Sequence, residues 1–146
     1  LNQTAQMNSS NTNAGGWNNS AMRTRMSTYL SQLPAALRNV IKTVNKRTSA
    51  GNQSSSIQTT QDKLFLLSEI EIFGATTYSF AGEGTQYEYY AAGNTTIKKV
   101  NGSAYYWWER SPYSDDTGYF CCVYSSGNAN YYIASNSYGV SFGFCV

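Results

Sequence analysis

From Ile97 onward the chain changes character, and this change limits the available folds more than any other feature of the sequence. Four short β-prone runs follow in turn: YYWWER, YFCCVY, NYYIA and VSFGFCV. Between them lie SPYSDDTG, SSGN and SNSYG, all dense in turn-forming residues. Runs of this length and spacing predict an antiparallel sheet with generous loops. The start of the chain reads differently. Met22, Met26, Tyr29, Leu30 and Leu33 fall at helical spacing, with Ser20 placed to cap the first turn. Methionines at this spacing belong to a core. Pro34 suits the first turn of a second short helix, PAALRNVI, whose Leu37, Val40 and Ile41 form an apolar stripe. Helices gathered ahead of strands predict an α+β domain.

The stretch between these halves is less decided. Lys42 to Thr48 reads as an extended segment leading into SAGNQSSSIQTTQ, a polar and mobile loop. LFLL at 64–67 has the length and apolarity of a short buried strand. In SEIEIFG, the residues Ile70, Ile72 and Phe73 fit either a strand or a one-turn helix ended by Gly74. EGTQYEYYA, residues 83–91, reads as another short helix closed by Gly93. Ahead of all this the chain is rich in Asn, Ser, Thr and Gly, which predicts a polar, irregular arm over 1–16 and a single domain over 17–146 anchored by Trp17. The start at Leu1, without Met or a signal peptide, reads as a mature product or an excised piece.

Leu, Ile, Val and Phe supply only 25 of the 146 residues. That is below the roughly 20% at which disorder becomes a concern, but the concern requires high net charge as well. Here the formal charge is +2, and 22 aromatic residues provide large apolar surfaces. Rings must therefore build much of the core. Trp17, Leu30, Leu37, Leu64, Leu66 and Trp107 are expected to be buried.

Composition also removes chemistry. The chain has no histidine, which excludes Ser-His-Asp and Cys-His mechanisms, His-ligated metals and histidine pH switches. Ten basic residues against eight acidic ones, with none basic after Arg110, leave no nucleic-acid footprint. No window approaches the roughly 18 apolar residues of a membrane span. GEGTQ has neither phosphate-loop spacing. Asp115 and Asp116 could ligate calcium only with further oxygens, and read instead as a solvated turn. Glu69 and Glu71 read as one solvated edge rather than a paired-carboxylate site, and Glu109-Arg110 as an ion pair tying a strand to a neighbouring loop. Cys121, Cys122 and Cys145 match no zinc or CxxC spacing and leave an odd thiol however they pair. Strand alternation predicts Cys121 and Cys145 on nearby strands, as buried thiols or a disulfide with thiols favoured, and Cys122 facing the other way.

The last 42 residues contain eight Tyr, seven Ser, four Gly and three Asn. These residue types dominate antibody paratopes, where tyrosine gives rigid amphipathic area and the small polar residues give adaptable hydrogen bonding. A Tyr/Ser-rich sheet without a ligand would show the same composition, since these residues also suit strands and turns.

GGWNNSAMR, LPAALRNVIK, DKLFLLSEIEIFG, GEGTQYEYY, YYWWERSPY and the closing GVSFGFCV together resemble a domain of gut bacteria and their phages. That domain is similar to the C-type-lectin-like fold of formylglycine-generating enzymes and of the variable proteins of diversity-generating retroelements. The resemblance covers roughly residues 7–146, and WWERSP is its most specific block. It implies two N-terminal helices packed on a short-stranded antiparallel sheet with long loops.

The resemblance also implies a non-enzymatic receptor-binding domain, on a phage tail tip or a cell surface. Its partner would be a protein or glycan on a target cell, with other subunits of a tail or surface assembly as further partners and no nucleic acid or membrane insertion. In retroelement systems, adenine-directed mutagenesis rewrites codons near the C-terminus. Residues of the resulting types, the candidate ligand-binding set, stand at Tyr113, Ser114, Asp115, Asp116, Tyr119, Cys122, Tyr124, Asn128, Asn130, Tyr131, Tyr132, Asn136 and Tyr138. Of these, Tyr113, Asp115, Asp116, Tyr119, Tyr124, Asn128, Asn130, Tyr132 and Tyr138 are expected to share one exposed face. The sequence lacks the Glu-Pro-Asn-like and Trp-Asn-Asp-like calcium motifs of sugar-binding lectins. Its adjacent cysteines also depart from the separated copper-binding pair of formylglycine-generating enzymes. No cofactor or metal is therefore expected. A structural assembly domain is the main alternative, and a formylglycine-generating-type enzyme the remote one.

Overall fold

Trp107-Trp108-Glu109-Arg110-Ser111-Pro112 forms a strand buried along its whole length, and the rest of the chain is arranged around it. A computed structural model describes residues 2–146. In chain order the elements are β1 (Thr4–Ala5), α1 (Ala21–Gln32), α2 (Ala35–Arg38), β2 (Val44–Gly51), β3 (Ser54–Asp62), β4 (Phe65–Leu66), α3 (Glu69–Phe73) and α4 (Glu88–Ala91). These are followed by β5 (Lys98–Val100), β6 (Ser103–Tyr105), β7 (Trp107–Pro112), β8 (Tyr119–Val123), β9 (Ala129–Ile133), β10 (Tyr138–Gly139) and β11 (Phe142–Gly143). The chain is thus a small α+β domain, mostly sheet with few helices. A five-stranded sheet runs in the order β1-β10-β7-β8-β9, and β2–β3, β5–β6 and β4–β11 form separate two-stranded ribbons. The main sheet is mixed rather than purely antiparallel, because β10 lies parallel to β7 where Gly139 meets Trp107.

Local chemistry explains the helices. Ser20 caps α1, its Oγ accepting the Arg23 N–H at 3.1 Å, and Met22 and Met26 are buried while Tyr29, Leu30 and Leu33 pack at the core's rim. α2 follows Pro34; Leu37 joins the rim and Ile41 is buried, but Val40 is exposed instead of completing the stripe. Helices are not confined to the N-terminal part. SEIEIF resolves to a helix because Ser68 and Glu71 form a reciprocal capping box and Gly74 closes it at φ 69°. Of 83–91, only Glu88–Ala91 is helical.

The polar 49–61 segment is not a mobile loop. β2 and β3 pair antiparallel from Val44–Asp62 to Gly51–Ser54. Gly51, Asn52 and Gln53 turn the chain with φ of 74°, 54° and 59°, and a Cβ on Gly51 would lie 1.8 Å from the Asn13 carbonyl oxygen. The segment ahead of Trp17 packs into the same body. β1 pairs with β10, and Ala5, Met7 and Asn13 are buried alongside Trp17, so Trp17 is one of several anchors.

Aromatic and sulfur-bearing side chains fill the core on both sides of β7 and β8. Trp108, Phe120 and Cys122 join Met7, Trp17, Met22 and Leu66 on one side, while Trp107 and Val123 meet Ile72 on the other. Of the residues expected inside, Trp17, Leu64, Leu66 and Trp107 are fully buried; Leu30 and Leu37 are half-buried.

Arg110, fully buried, clamps these elements together. Its Nη1 donates to Glu71 Oε2 at 2.6 Å and to the Leu66 carbonyl at 2.9 Å. Its Nη2 donates to Glu71 Oε1, the Arg47 carbonyl and the Glu83 carbonyl, and its Nε to Thr48 Oγ1. The Lys46 ammonium reaches Glu71 and the Tyr87 hydroxyl. Arg110 does tie its strand to neighbouring segments, but its carboxylate partner is Glu71, 39 residues away, not adjacent Glu109. Glu69 and Glu71 are buried, contrary to the solvated edge expected. Glu69 accepts from the Tyr78 and Ser79 N–H groups and the Ser79 hydroxyl, which satisfy its buried oxygens.

Cys121 and Cys122 are buried free thiols on opposite faces of β8, as alternation requires. Cys145 does not join them. It is exposed, and its backbone bridges to Lys42. Burial pushes the Cys121 and Cys122 thiols well up, with the Glu109 carboxyl adding to the effect, so neither forms a thiolate readily. In native protein at pH 8, one thiol per chain, Cys145, is therefore expected to react quickly with an alkylating reagent. Mass spectrometry should find Cys121 and Cys122 modified only after denaturation; native labelling of either would contradict the packing.

Candidate ligand-binding face

Strand alternation sorts the C-terminal tyrosines into two groups. β8 and β9 pair Phe120 with Tyr132 and Cys121 with Tyr131, so Tyr131 and Tyr132 leave β9 on opposite faces. β9 ends the five-stranded sheet, so both groups flank that edge.

The first group surrounds a cleft. Tyr105, Tyr106, Tyr132 and Tyr138, with Ala104 and Ser125, line an open hollow of about 350 Å³. Tyr124 supports it from beside, stacked on Tyr106 with ring centroids 4.4 Å apart and 18° between planes. The lining rings are steeply tilted: Tyr132 meets Tyr138 at 87° and Tyr106 at 61°, with centroids 5.4 and 6.1 Å apart. Tyr138 also packs against Trp108, coupling the cleft to the core. Asn136 Nδ2 donates to the Tyr138 hydroxyl at 3.1 Å. Burial pushes Tyr138 up to about 12 and raises Tyr124, which keeps both phenols neutral. The turn beneath Ser125 is fixed: Gly127 at φ 88° donates to the Tyr124 carbonyl, and its own carbonyl accepts from Thr96 Oγ1.

The second group lies on the other side of the sheet edge. Tyr113 stacks on Tyr131 at 3.8 Å with 5° between planes, and Tyr119 and Tyr78 meet Tyr131 edge-on. Its loop is held from beneath by buried Asn13, whose Nδ2 donates to the Asp116 carbonyl at 2.9 Å and the Tyr119 carbonyl at 2.7 Å. The Ser114 N–H donates to the Tyr78 carbonyl, and Asp116 Oδ1 accepts from the Gly118 N–H. Asp115 and Asp116 stay exposed on this turn. Among the described residues, no group of three or more His, Cys, Asp or Glu could hold a metal ion.

The expected site residues therefore do not form one face. Tyr124, Tyr132, Asn136 and Tyr138 gather at the cleft; Tyr113, Ser114, Asp115, Asp116, Tyr119 and Tyr131 gather around the Tyr113–Tyr131 stack. Asn128 is exposed at the turn after β8, and Asn130 on β9 spends its Oδ1 on the Tyr131 N–H. Cys122 is buried opposite Trp108 and is no part of any surface. The tyrosines themselves are half-buried rather than freely exposed, because each ring packs on its neighbours. Five contributors were missed: Ala104, Tyr105, Tyr106, Ser125 and Tyr78. Tyr105-Tyr106 stands directly before the buried WWER block, and that adjacency was their available signal. Tyr78 arrives from a segment distant in sequence and had none.

No helix among the described residues is long and apolar enough to cross a membrane. The sequence pattern of one protein family, described as a domain of unknown function (DUF6273), matches residues 1–146. No curated protein and no solved structure matches the chain.

Proposed function

The chain belongs to the DUF6273 family, and we propose that it is a non-enzymatic receptor-binding domain whose clustered tyrosines contact a target-cell surface. The observation that carries this is the cleft of Tyr105, Tyr106, Tyr132 and Tyr138, four rings held half-open to solvent between the β5–β6 ribbon and the five-stranded sheet. A surface with no partner gains nothing from leaving ring area in water, at about 25 cal/mol per Å². Clustered aromatic patches of this kind mark interaction sites, where tyrosine is favoured for its area and its hydroxyl. Recognition elements also sit preferentially on loops and strand ends of a firm scaffold.

The finer assignments rest on the same surface and on the resemblance of the motifs. The fold is of C-type-lectin-like type, the few helices and long connections around a short-stranded sheet supporting it. The domain is a retroelement-diversified variable protein, displayed at a phage tail tip or on a cell surface. A two-thiol copper centre is disfavoured by position: Cys121 and Cys122 are buried on opposite faces of one strand and Cys145 is exposed.

Sequencing this locus in sibling isolates tests the proposal. Substitutions are expected to cluster at Tyr105, Tyr106, Tyr113, Asp115, Tyr119, Tyr124, Asn128, Tyr131, Tyr132 and Tyr138. Buried Trp107 to Ser111 and Phe120 to Val123, including Cys122, are expected to stay fixed. A locus invariant across isolates, or one varying equally in the core, overturns the diversified reading.

A further inference from the structure

We infer that the occupant of the Tyr105–Tyr106–Tyr132–Tyr138 cleft is an uncharged sugar ring of a surface polysaccharide, bound without a metal ion. The inference rests on the proposed binding role and names its ligand class. Three features of the cleft carry it.

The first is charge. All six lining residues, Ala104, Tyr105, Tyr106, Ser125, Tyr132 and Tyr138, are neutral. A carboxylate or ammonium entering the cleft would lose water and find no counter-charge, which is costly. The second is hydroxyl density. Four tyrosines and one serine line about 350 Å³, a volume near the lower end of small-ligand pockets. Among the described residues only the Tyr138 hydroxyl has a protein partner, Asn136; those of Tyr105, Tyr106, Tyr132 and Ser125 have none. An apolar side chain docked there would strand these hydroxyls, whereas a sugar offers a hydroxyl on almost every ring carbon. The third is ring orientation. The lining tyrosines meet at angles from 50° to 87°, so no two parallel faces form a slot for a flat base or aromatic ring. Neighbouring centroids only 5.0 to 6.5 Å apart also leave no room between rings for a caged ammonium group. A puckered ring with C–H bonds on its face and hydroxyls at its rim fits this surface.

The test uses methyl glycosides of glucose, galactose, mannose and N-acetylglucosamine, with methyl glucuronide and methyl glucosaminide as charged counterparts. Each is titrated into the intact protein while the tyrosine ring resonances are followed by NMR. At least one neutral glycoside should saturate and shift the Tyr105, Tyr106, Tyr132 and Tyr138 signals, binding at least about tenfold tighter than the charged compounds. Tyr132→Phe, which keeps the ring, should weaken it at least about fivefold, the scale of one lost hydrogen bond. Adding a chelator should change nothing. Absence of saturable binding by every neutral glycoside, equal binding of charged ones, or an unaffected Tyr132→Phe variant overturns the inference. If Tyr105→Ala still abolishes cell binding when no glycoside binds, the binding face stands and the sugar assignment alone is wrong.

Discussion

Replacing Arg110 by methionine should cost about 3–5 kcal/mol, a large share of the total stability of about 5–15 kcal/mol typical of a domain. Arg110 is fully buried and makes six hydrogen bonds, to Glu71, Thr48 and the carbonyls of Leu66, Arg47 and Glu83. It therefore joins β7 to the β2–β3 ribbon, to the end of β4 and to α3. Methionine matches much of its length but none of its donors. Glu71 would keep Lys46 and the Ser68 N–H but lose two charged hydrogen bonds, and three backbone carbonyls would lose a donor. Urea unfolding of the purified variant is the check. A midpoint within the error of the parent would mean that the clamp contributes nothing net, as some buried ion pairs do.

Stability should fall, not rise, between pH 5 and pH 8. Burial pushes the Glu83 carboxyl up to about 7 from an ordinary 4.5, outweighing the Arg110 charge and the Ser49 N–H that favour its ionised form. Glu109 goes the same way: it is fully buried, both its oxygens lack hydrogen-bond partners, and the neighbouring Glu69 and Glu83 charges add to its rise. A carboxyl raised in the native state keeps a proton that the unfolded chain releases. Its full contribution is therefore present below about pH 4.5 and is lost as pH climbs through the native value. For Glu83 alone the loss is on the order of 3 kcal/mol once pH exceeds about 7. Glu71 acts oppositely. Burial works to raise it, but the Arg110 and Lys46 bonds and charges hold it below its ordinary value, so its contribution fades in acid below about pH 4.5. Maximum stability is expected near pH 5. Urea midpoints measured from pH 4 to pH 8 should peak there, and Glu83→Gln should flatten the decline between pH 5 and pH 7. A midpoint constant or rising over that range would contradict the protonation states assigned to this core.

How far the sequence could be read depended on what kind of force holds each segment. Where apolar rings decide, it was legible: the Ser20-capped helix, the β-prone runs after Ile97, and the burial of Trp17, Leu66 and Trp107 all follow from spacing and hydrophobicity. Where polar groups decide, it was not. β2 and β3 bury Thr48, Ser49, Thr60 and Asp62, whose partners are Arg110, Glu83, Trp17 and Arg23, so the hairpin carries no hydrophobic alternation to detect. Glu69 and Glu71 resemble solvated charges until β7 brings Arg110 and Ser111 to α3. The tyrosines were legible as residue types but not as two groups, since the division depends on the β8–β9 register. Cys122 went astray for the related reason that its strand neighbour Trp108 covers it.

The central claim is that these tyrosines face a cell-surface target. It is tested most directly by the binding of fluorescently labelled protein to a panel of gut bacterial cells, normalised to the folded fraction of each sample. Tyr105→Ala is the cleanest variant, because Tyr105 lines the cleft at 39% exposure and its ring meets Tyr106 and Tyr138. The account predicts that the parent protein is retained on some cells of the panel. Tyr105→Ala and Tyr132→Ala should each lose at least about 1 kcal/mol of that binding, roughly fivefold in affinity. If both variants bind as tightly per folded molecule as the parent, or the parent binds no cell, the tyrosines only pack the sheet edge and the receptor-binding account is contradicted.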